Sequence, residues 1–306
     1  MRAFLIVIFS ARMLACQQTF PSSCPGGTLF PLASLAVHHP IDDACPDLTG
    51  KPSSSEASHT QNSVKNNFCA SGPPQAFTPQ MLIDLQASVK DAGVSFGFQK
   101  EPLDRSKLTE LHEGTLVRMK AYLIEAHFAD LGSGESVNCN GSTVDDNDIH
   151  IALGDQPDAQ ECASVTAEIT PHFRPTTWNH IGEFETYNKS TRKYTVNPQI
   201  ASRLQAQPYR VTGQLFFDAS HTPCPCGTSC SPSRSSLWEI HPVYAMDVCK
   251  TGTQCDENDD AQWLAFDQWW TNLAPIQPVK PSHTHAPHEH EPPTKSGHHT
   301  KTAGAP

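Results

Sequence analysis

Residues 148–153 read DIHIAL and residues 165–170 read VTAEIT, and the fold prediction starts from these two stretches. In the first, Ile149 and Ile151 alternate with Asp148 and His150. Successive side chains of a β-strand point to opposite faces of the sheet. The alternation therefore predicts two half-buried strands of an antiparallel sheet, with an apolar inner face and a polar outer face.

The chain on either side continues this pattern. Further strands are predicted over 116–128, 209–217 and 237–248, and a short helix over 197–206 separates the third strand from the fourth. Five strands with a helix after the third is the order of the OB-fold, a partly open Greek-key barrel. The predicted fold class is therefore mainly β: a five-stranded OB-like barrel with flanking helices. The alternatives are an α+β fold with an antiparallel sheet, or a β-sandwich.

Five strings of the chain carry a resemblance to a known family: ESVNC (135–139), NDIHI (147–151), EITPHFRP (168–175), RVTGQLFFD (210–218) and LWEIHPV (237–243). They resemble a family of uncharacterised bacterial proteins that are predicted to be secreted. That family is similar to OB-fold nucleic-acid-binding and staphylococcal-nuclease-like barrels. The resemblance covers about residues 76–272. It implies the fold and export, and it assigns no activity to any residue.

The beginning of the chain predicts export. A charged start is followed by a short apolar run, so residues 1–16 are expected to be a signal peptide or a lipoprotein signal. Met13 to Cys16 resemble a lipoprotein cleavage box, which makes Cys16 a candidate lipid anchor. The predicted location is the periplasm, the cell surface or the extracellular space. Beyond this start no apolar run reaches the ~18 residues of a membrane-spanning helix.

The cysteines also favour an oxidising compartment. The chain has 11, and ten remain after Cys16. Short separations predict the pairs Cys139–Cys162 and Cys249–Cys255, and the sequence leaves open the pairing of Cys24, Cys45, Cys69, Cys224, Cys226 and Cys230. Alternatively, Cys224, Cys226 and Cys230 are thiolate ligands of a metal ion, with His221 as its fourth ligand.

Composition divides the chain into four segments. After the signal, residues 17–74 are rich in Ser, Pro, Gln, Asn and Thr and are predicted to be a low-complexity tether. Residues 75–272 form the OB-like domain, and residues 273–306 form a disordered tail rich in His and Pro. Both ends are predicted to be dispensable for folding. Neutral imidazoles of the tail could bind Zn, Cu or Ni, and the candidate ligands are His283, His285, His288 and His290.

The charge of the chain bears on its partners. The chain has 21 Lys and Arg against 32 Asp and Glu, a net charge of −11. An acidic chain lacks the basic surface that binding to a nucleic-acid backbone requires, so nucleic acid is disfavoured as a partner. No P-loop, dinucleotide-binding glycine motif, HExxH or GxSxG motif is present in the sequence.

The outer face of the predicted sheet carries the candidate functional residues. His150 and Glu168 are expected to face each other across two neighbouring strands, and Arg174 and His241 are further candidates. The simplest interpretation is a polar outer face whose His–Glu pair fixes the strand register. The predicted function is an exported, disulfide-stabilised binding or structural module of the cell envelope with an unknown ligand. The alternative is a metal-assisted hydrolase that acts at this face through His150, Glu168 and Arg174. A nuclease-like version would bind a cation at the acidic loop of Asp145, Asp146 and Asp148 and phosphate through Arg174 and Arg210.

Overall fold

The structure is a computed structural model, and it describes residues 38–69, 72–129, 131–191, 193–230, 233–252 and 254–275. The chain divides into two compact units, Met1–Leu273 and Ala274–Pro306. The strands are β1 Gln75–Phe77, β2 Leu116–Phe128, β3 Ile149–Gly154, β4 Val165–Ile169, β5 Glu185–Asn188, β6 Lys193–Val196, β7 Pro208–Phe217, β8 Trp238–Cys249 and β9 Trp263–Ala265. The predicted signal peptide and the six tail histidines, His283, His285, His288, His290, His298 and His299, lie outside the described residues.

The helices are short. They are α1 Pro40–Ala44, α2 Glu56–Lys65, α3 Pro79–Asp91, α4 Ser106–Glu110, α5 Asn179–Gly182, α6 Pro198–Leu204 and α7 Phe266–Thr271. Single turns of 3-10 helix lie at Ser136–Asn138, Glu161–Ala163, Pro171–Phe173, Thr176–Trp178 and Asp260–Gln262. None of the helices in the described ranges is both long enough and apolar enough to cross a lipid bilayer.

Five of the strands close into a barrel. Hydrogen bonds join them in the order β2-β3-β4-β8-β7, and β7 pairs again with β2. β4 and β8 run parallel, and the other four pairs of neighbours are antiparallel. The predicted mainly β fold is confirmed, and the connectivity is compatible with an OB-like barrel. The closed barrel excludes the two alternatives, an α+β fold with an antiparallel sheet and a β-sandwich.

The inner face of the barrel is the core. Ile149 and Ile151 on β3 and Val165 and Ile169 on β4 are fully buried, as their alternation predicts. The spacing of Trp263, Phe266 and Trp270 predicts one continuous helix over residues 260–271, and the structure differs. Residues 263–265 of this segment instead form β9, which adds to β8 with Trp263 opposite Cys249, so the helix begins only at Phe266.

A β-bulge changes the alternation within β2. The first half of β2 pairs with β7 and the second half with β3, and the register of the β2–β3 pair shifts between Leu123 and Glu125. Before the shift the even-numbered residues point outward, and after it Glu125 and His127 do so. A bulge inserts one extra residue into a strand and so re-aims the side chains that follow. Glu125 and His127 therefore lie on the outer face, while Ala126 is buried.

Residues 38–69 correct the prediction of a low-complexity tether over 17–74. They contain α1 and α2, and they bury Ile41 and Phe68 against the rest of the molecule. A disulfide between Cys45 and Cys139 fixes the segment to the loop before β3. The sequence suggested otherwise because Ala57 and Val64 are the only apolar residues of α2, and its buried side chains are the amides of Gln61 and Asn62.

Four disulfides are described, and they correct part of the predicted pairing. Cys249–Cys255 is present as predicted. The predicted Cys139–Cys162 bond is wrong, because Cys139 bonds to Cys45 and Cys162 bonds to Cys226. The fourth disulfide joins Cys224 to Cys230. All three cysteines near residue 224 are therefore oxidised, which overturns the alternative of thiolate metal ligands there.

Candidate functional site

A cleft of about 630 Å³ lies on the outer face of the barrel, over β3 and β4. Residues of α2, the loop around Glu135 and the segment around Asp218 form its walls. In OB-folds this face of the second and third barrel strands is the usual ligand surface. The ionisable side chains that line the cleft are Lys65, Glu101, Glu125, His127, Glu135, His150, Glu161, Glu168, Asp218, His221 and Arg234.

A row of four side chains crosses four neighbouring strands next to this cleft. It runs from His127 on β2 through His150 on β3 and Glu168 on β4 to His241 on β8. His150 Nε2 lies 3.2 Å from Glu168 Oε1, and His241 Nε2 lies 3.4 Å from Glu168 Oε2. The predicted cross-strand pair of His150 and Glu168 is therefore present in the register of β3 and β4.

Lys65, the last residue of α2, brings a cation onto this row. Its Nζ lies 2.7 Å from Glu168, 3.5 Å from Glu135 and 3.6 Å from Asp148. Burial alone would lower the pKa of Lys65, but these carboxylates hold it well above its ordinary value. The ammonium group is therefore charged and held by three acids, each from a different part of the chain.

His150 is protonated at neutral pH. Burial alone would lower its pKa, yet Glu168 and Glu135 outweigh burial and raise the pKa of His150 from 6.5 to about 10. The same contact acts on Glu168, whose pKa His150 and Lys65 hold at about 2 against the effect of burial. His150 thus behaves as an imidazolium ion between two carboxylates.

His241 belongs to the row but lies inside the protein. Its side chain is fully buried, its Nδ1 hydrogen-bonds with the backbone carbonyl of Lys65, and its Nε2 lies 3.1 Å from Asp148 Oδ2. Asp148 is buried as well and also accepts a hydrogen bond from Asn138. These contacts join α2, the loop before β3 and β8 beneath the cleft floor.

Arg174 does not join the other three candidates. Its guanidinium donates to the backbone carbonyls of Val144 and Asn147 and lies over the ring of Phe128. Burial lowers the pKa of Arg174 to about 10. Arg174 therefore fixes the loop before β3. Arg210 is also placed elsewhere, in ion pairs with Asp247 and Asp260.

Arg234 is the second permanent cation of the cleft, and it is already paired. It donates to Asp218 at 2.6 Å, to Thr166 at 3.2 Å and to Glu239. Although burial would raise the pKa of Asp218, His221 and Arg234 hold it well below its ordinary value. Neither Arg234 nor Lys65 is therefore left as a free cation for a negatively charged ligand.

The end of the cleft near β2 has the opposite character. Glu125 and Glu161 line the cleft there and Glu185 lies beside them, and no Lys or Arg among the described residues forms an ion pair with these three side chains. Burial, followed by Glu125 and Glu161, raises the pKa of Glu185 to about 7. We call Glu125, His127, Glu161 and Glu185 the outer cluster. It is a site of excess negative charge.

Sequence reasoning identified His150, Glu168 and His241 but missed Lys65, Glu135 and the outer cluster. Alternation along β2 could not reveal Glu125 and His127, because the bulge reverses it at this point. Lys65, Glu135 and Glu185 come from segments far apart in the sequence. No local signal in the sequence brings these segments together.

Comparison of the chain with models of protein families, with curated proteins and with solved structures finds no match.

Proposed function

We propose that the protein is a binding module whose cleft accepts a positively charged ligand. The observation that carries this proposal is the charge of the cleft lining. Six carboxylate side chains line it, against Lys65 and Arg234 as permanent cations and the protonated His150. All three already lie within ion-pair distance of carboxylates. The unpaired charge that remains for a ligand is negative, and it lies in the outer cluster.

Lys65 supports the same conclusion from within the protein. Its ammonium group lies within 3.6 Å of Glu135, Asp148 and Glu168. This face of the barrel thus already holds one cation with several carboxylates. A ligand cation at the outer cluster would use the same chemistry in the same cleft, where no Lys or Arg of the described residues forms an ion pair with the carboxylates.

Binding is better supported than hydrolysis at this face. A general base must be unprotonated near neutral pH. The pKa of His150 is about 10, so its imidazole is protonated at neutral pH and cannot act as that base. His241 is fully buried and Arg174 is bonded to backbone carbonyls, so neither side chain reaches the cleft. These positions count against the hydrolase hypothesis built on His150, Glu168 and Arg174.

The disulfides support an oxidising compartment for this module. Four are described, and such bonds persist in the periplasm, at cell surfaces and outside cells rather than in the cytosol. Together with the predicted signal at residues 1–16, they favour export. As part of the proposed export, the signal is cleaved before Cys16 and Cys16 is lipidated.

The test is a thermal-shift screen of the full chain, followed by calorimetry. The cationic probes are spermidine, arginine and Zn²⁺, and the anionic probes are citrate, phosphate and a short oligonucleotide. A probe at about 100 times its dissociation constant should stabilise the protein by ~2.7 kcal/mol. We expect stabilisation by cationic probes only, reduced in Glu125→Gln and unchanged in the exposed control Glu183→Gln. Stabilisation by the anions alone, or by no probe, would overturn the proposal.

A further inference from the structure

The outer cluster contains a set of side chains with the chemistry of metal ligands. Glu125 and His127 both point outward from β2 after the bulge, and Glu185 reaches them from β5 of the small second sheet. One oxygen of each carboxylate and one imidazole nitrogen lie within 4.8 Å of one another. An imidazole and two carboxylates form a common ligand set for zinc and related divalent metals.

The imidazole of His127 is oriented toward the two acids. Its Nδ1 lies 3.7 Å from Glu125 Oε1 and 3.9 Å from Glu185 Oε2. This nitrogen is buried, and no hydrogen bond to it is found within the described part of the chain. The ring is held between Tyr194, at 4.4 Å between centroids, and His150, at 5.7 Å. Packing therefore fixes a nitrogen that lacks a hydrogen-bond partner beside two carboxylates.

The separations suit an ion between the three groups. Zinc bonds to nitrogen and oxygen are about 2.0–2.2 Å long, which places tetrahedral ligand atoms about 3.4 Å apart. The distances from Nδ1 to the two carboxylate oxygens exceed this by about half an ångström or less, which small side-chain rotations can close.

Two neighbouring groups of similar composition are already occupied. Glu135 and Glu168 hold the ammonium group of Lys65, and both also lie within 3.4 Å of His150 Nε2. All three members of the group of Asp148, Glu168 and His241 are buried, and Lys65 lies within 3.6 Å of both of its carboxylates. Among the three groups only the outer one lacks a basic side chain of Lys or Arg within the described residues.

We propose that Glu125, His127 and Glu185 bind a divalent transition-metal ion, with Zn²⁺ as the expected ion. This inference rests on the proposed function, because it names the cation that the acidic end of the cleft accepts. The imidazole ligand disfavours Ca²⁺ and Mg²⁺, which prefer oxygen atoms alone. The site lies outside the cysteine segments and the histidine-rich tail that the sequence suggested as metal ligands.

The experiment is a calorimetric titration of Zn²⁺ and Co²⁺ into the full chain, with the six tail histidines replaced by Asn so that the tail cannot contribute. The variants are His127→Ala and Glu185→Gln. Their matched controls are His180→Ala and Glu183→Gln, a histidine and a glutamate that form an exposed pair with each other elsewhere on the surface. Thermal unfolding without metal shows whether each variant is folded. The visible spectrum of the Co²⁺ form reports nitrogen and oxygen ligands directly.

We expect one Zn²⁺ per chain and an affinity at least about 100-fold weaker in both variants, since even loss of a residue that only supports a ligand costs 10–100-fold. The controls should bind as the parent does. Equal binding by parent and variants would overturn the metal site. So would stabilisation by spermidine without any binding of Zn²⁺, although the proposed function would then stand. If no cation binds at the cleft, both proposals fail.

Discussion

Lys65 at the end of α2 and Glu168 on β4 lie 2.7 Å apart, although 103 positions separate them in the sequence. The contact joins a helix outside the barrel to the outer face of the barrel itself. Glu168 is 4% exposed at its side chain, so it depends on this ammonium group and on His150 for charge compensation. The N-terminal segment is therefore part of the electrostatics of the cleft as well as of its wall.

Replacing this lysine should destabilise the fold. Lys65→Met leaves Glu135, Asp148 and Glu168 without their shared cation, and removing one partner from a buried ion pair costs about 3–5 kcal/mol. Urea unfolding at pH 7 measures the loss. Lys90→Met, at an exposed position near the end of α3, is the control and should change stability by less than about 0.5 kcal/mol. Equal effects of the two substitutions would contradict the role of Lys65.

The proton on His150 should make stability depend on alkaline pH. Its pKa is raised from 6.5 to about 10, so the folded state binds this proton more tightly than the unfolded chain does. The resulting stabilisation is complete below about pH 6.5 and is lost as the pH rises through about 10. His150→Gln should flatten this decline in urea unfolding between pH 6 and 10. His180→Gln, at an exposed histidine, should keep the parent's slope.

The described disulfides should differ in their contribution to stability. Cys45–Cys139 closes a separation of 94 residues and Cys249–Cys255 a separation of 6. In the chain-entropy description these loops correspond to about 4.7 and about 2.4 kcal/mol. Replacing both cysteines of each pair by Ala, followed by chemical unfolding, tests this ratio. A larger loss for the short loop would show that native-state contacts dominate.

Removing the N-terminal segment should destabilise the domain, contrary to the expectation from composition. A chain of residues 74–273 lacks Ile41, Phe68, Lys65 and the Cys45–Cys139 disulfide. We expect its melting temperature to fall well below that of a chain of residues 38–273. Equal melting temperatures would restore the original view of this segment as a tether.

The tail remains a separate metal-binding prediction. His283, His285, His288 and His290 offer imidazoles on a segment outside the described residues. Binding of Ni²⁺ by these residues should weaken below about pH 6, when imidazoles protonate. Calorimetry on the parent and on the variant with Asn at the tail histidines checks this. Equal Ni²⁺ binding by the two proteins would assign the metal to other residues.

The sequence predicted the barrel well because the five barrel strands have local patterns of apolar and polar residues that identify them. Alternation in residues 148–153 and 165–170 identified the inner and outer faces, and with them the His150–Glu168 pair. The site was only half predictable, because its other half arises from long-range contacts. Lys65 reaches the face through a helix with little apolar surface, and Glu185 arrives on a hairpin that pairs only with itself.

The bulge in β2 separates the part of the strand that closes the barrel from the part that faces the cleft. Residues before it pair with β7 and close the barrel, whereas Glu125 and His127 after it pair with β3 and face the cleft. Because of the extra residue, the outward-facing positions of β2 are even-numbered before the bulge and odd-numbered after it. Substitutions at Glu125 and His127 can therefore alter what the cleft binds while the seam between β2 and β7 stays intact. Deletion of Ile124 would remove this extra residue and restore regular alternation after Leu123, so Glu125 and His127 would still point outward and Ala126 would stay buried.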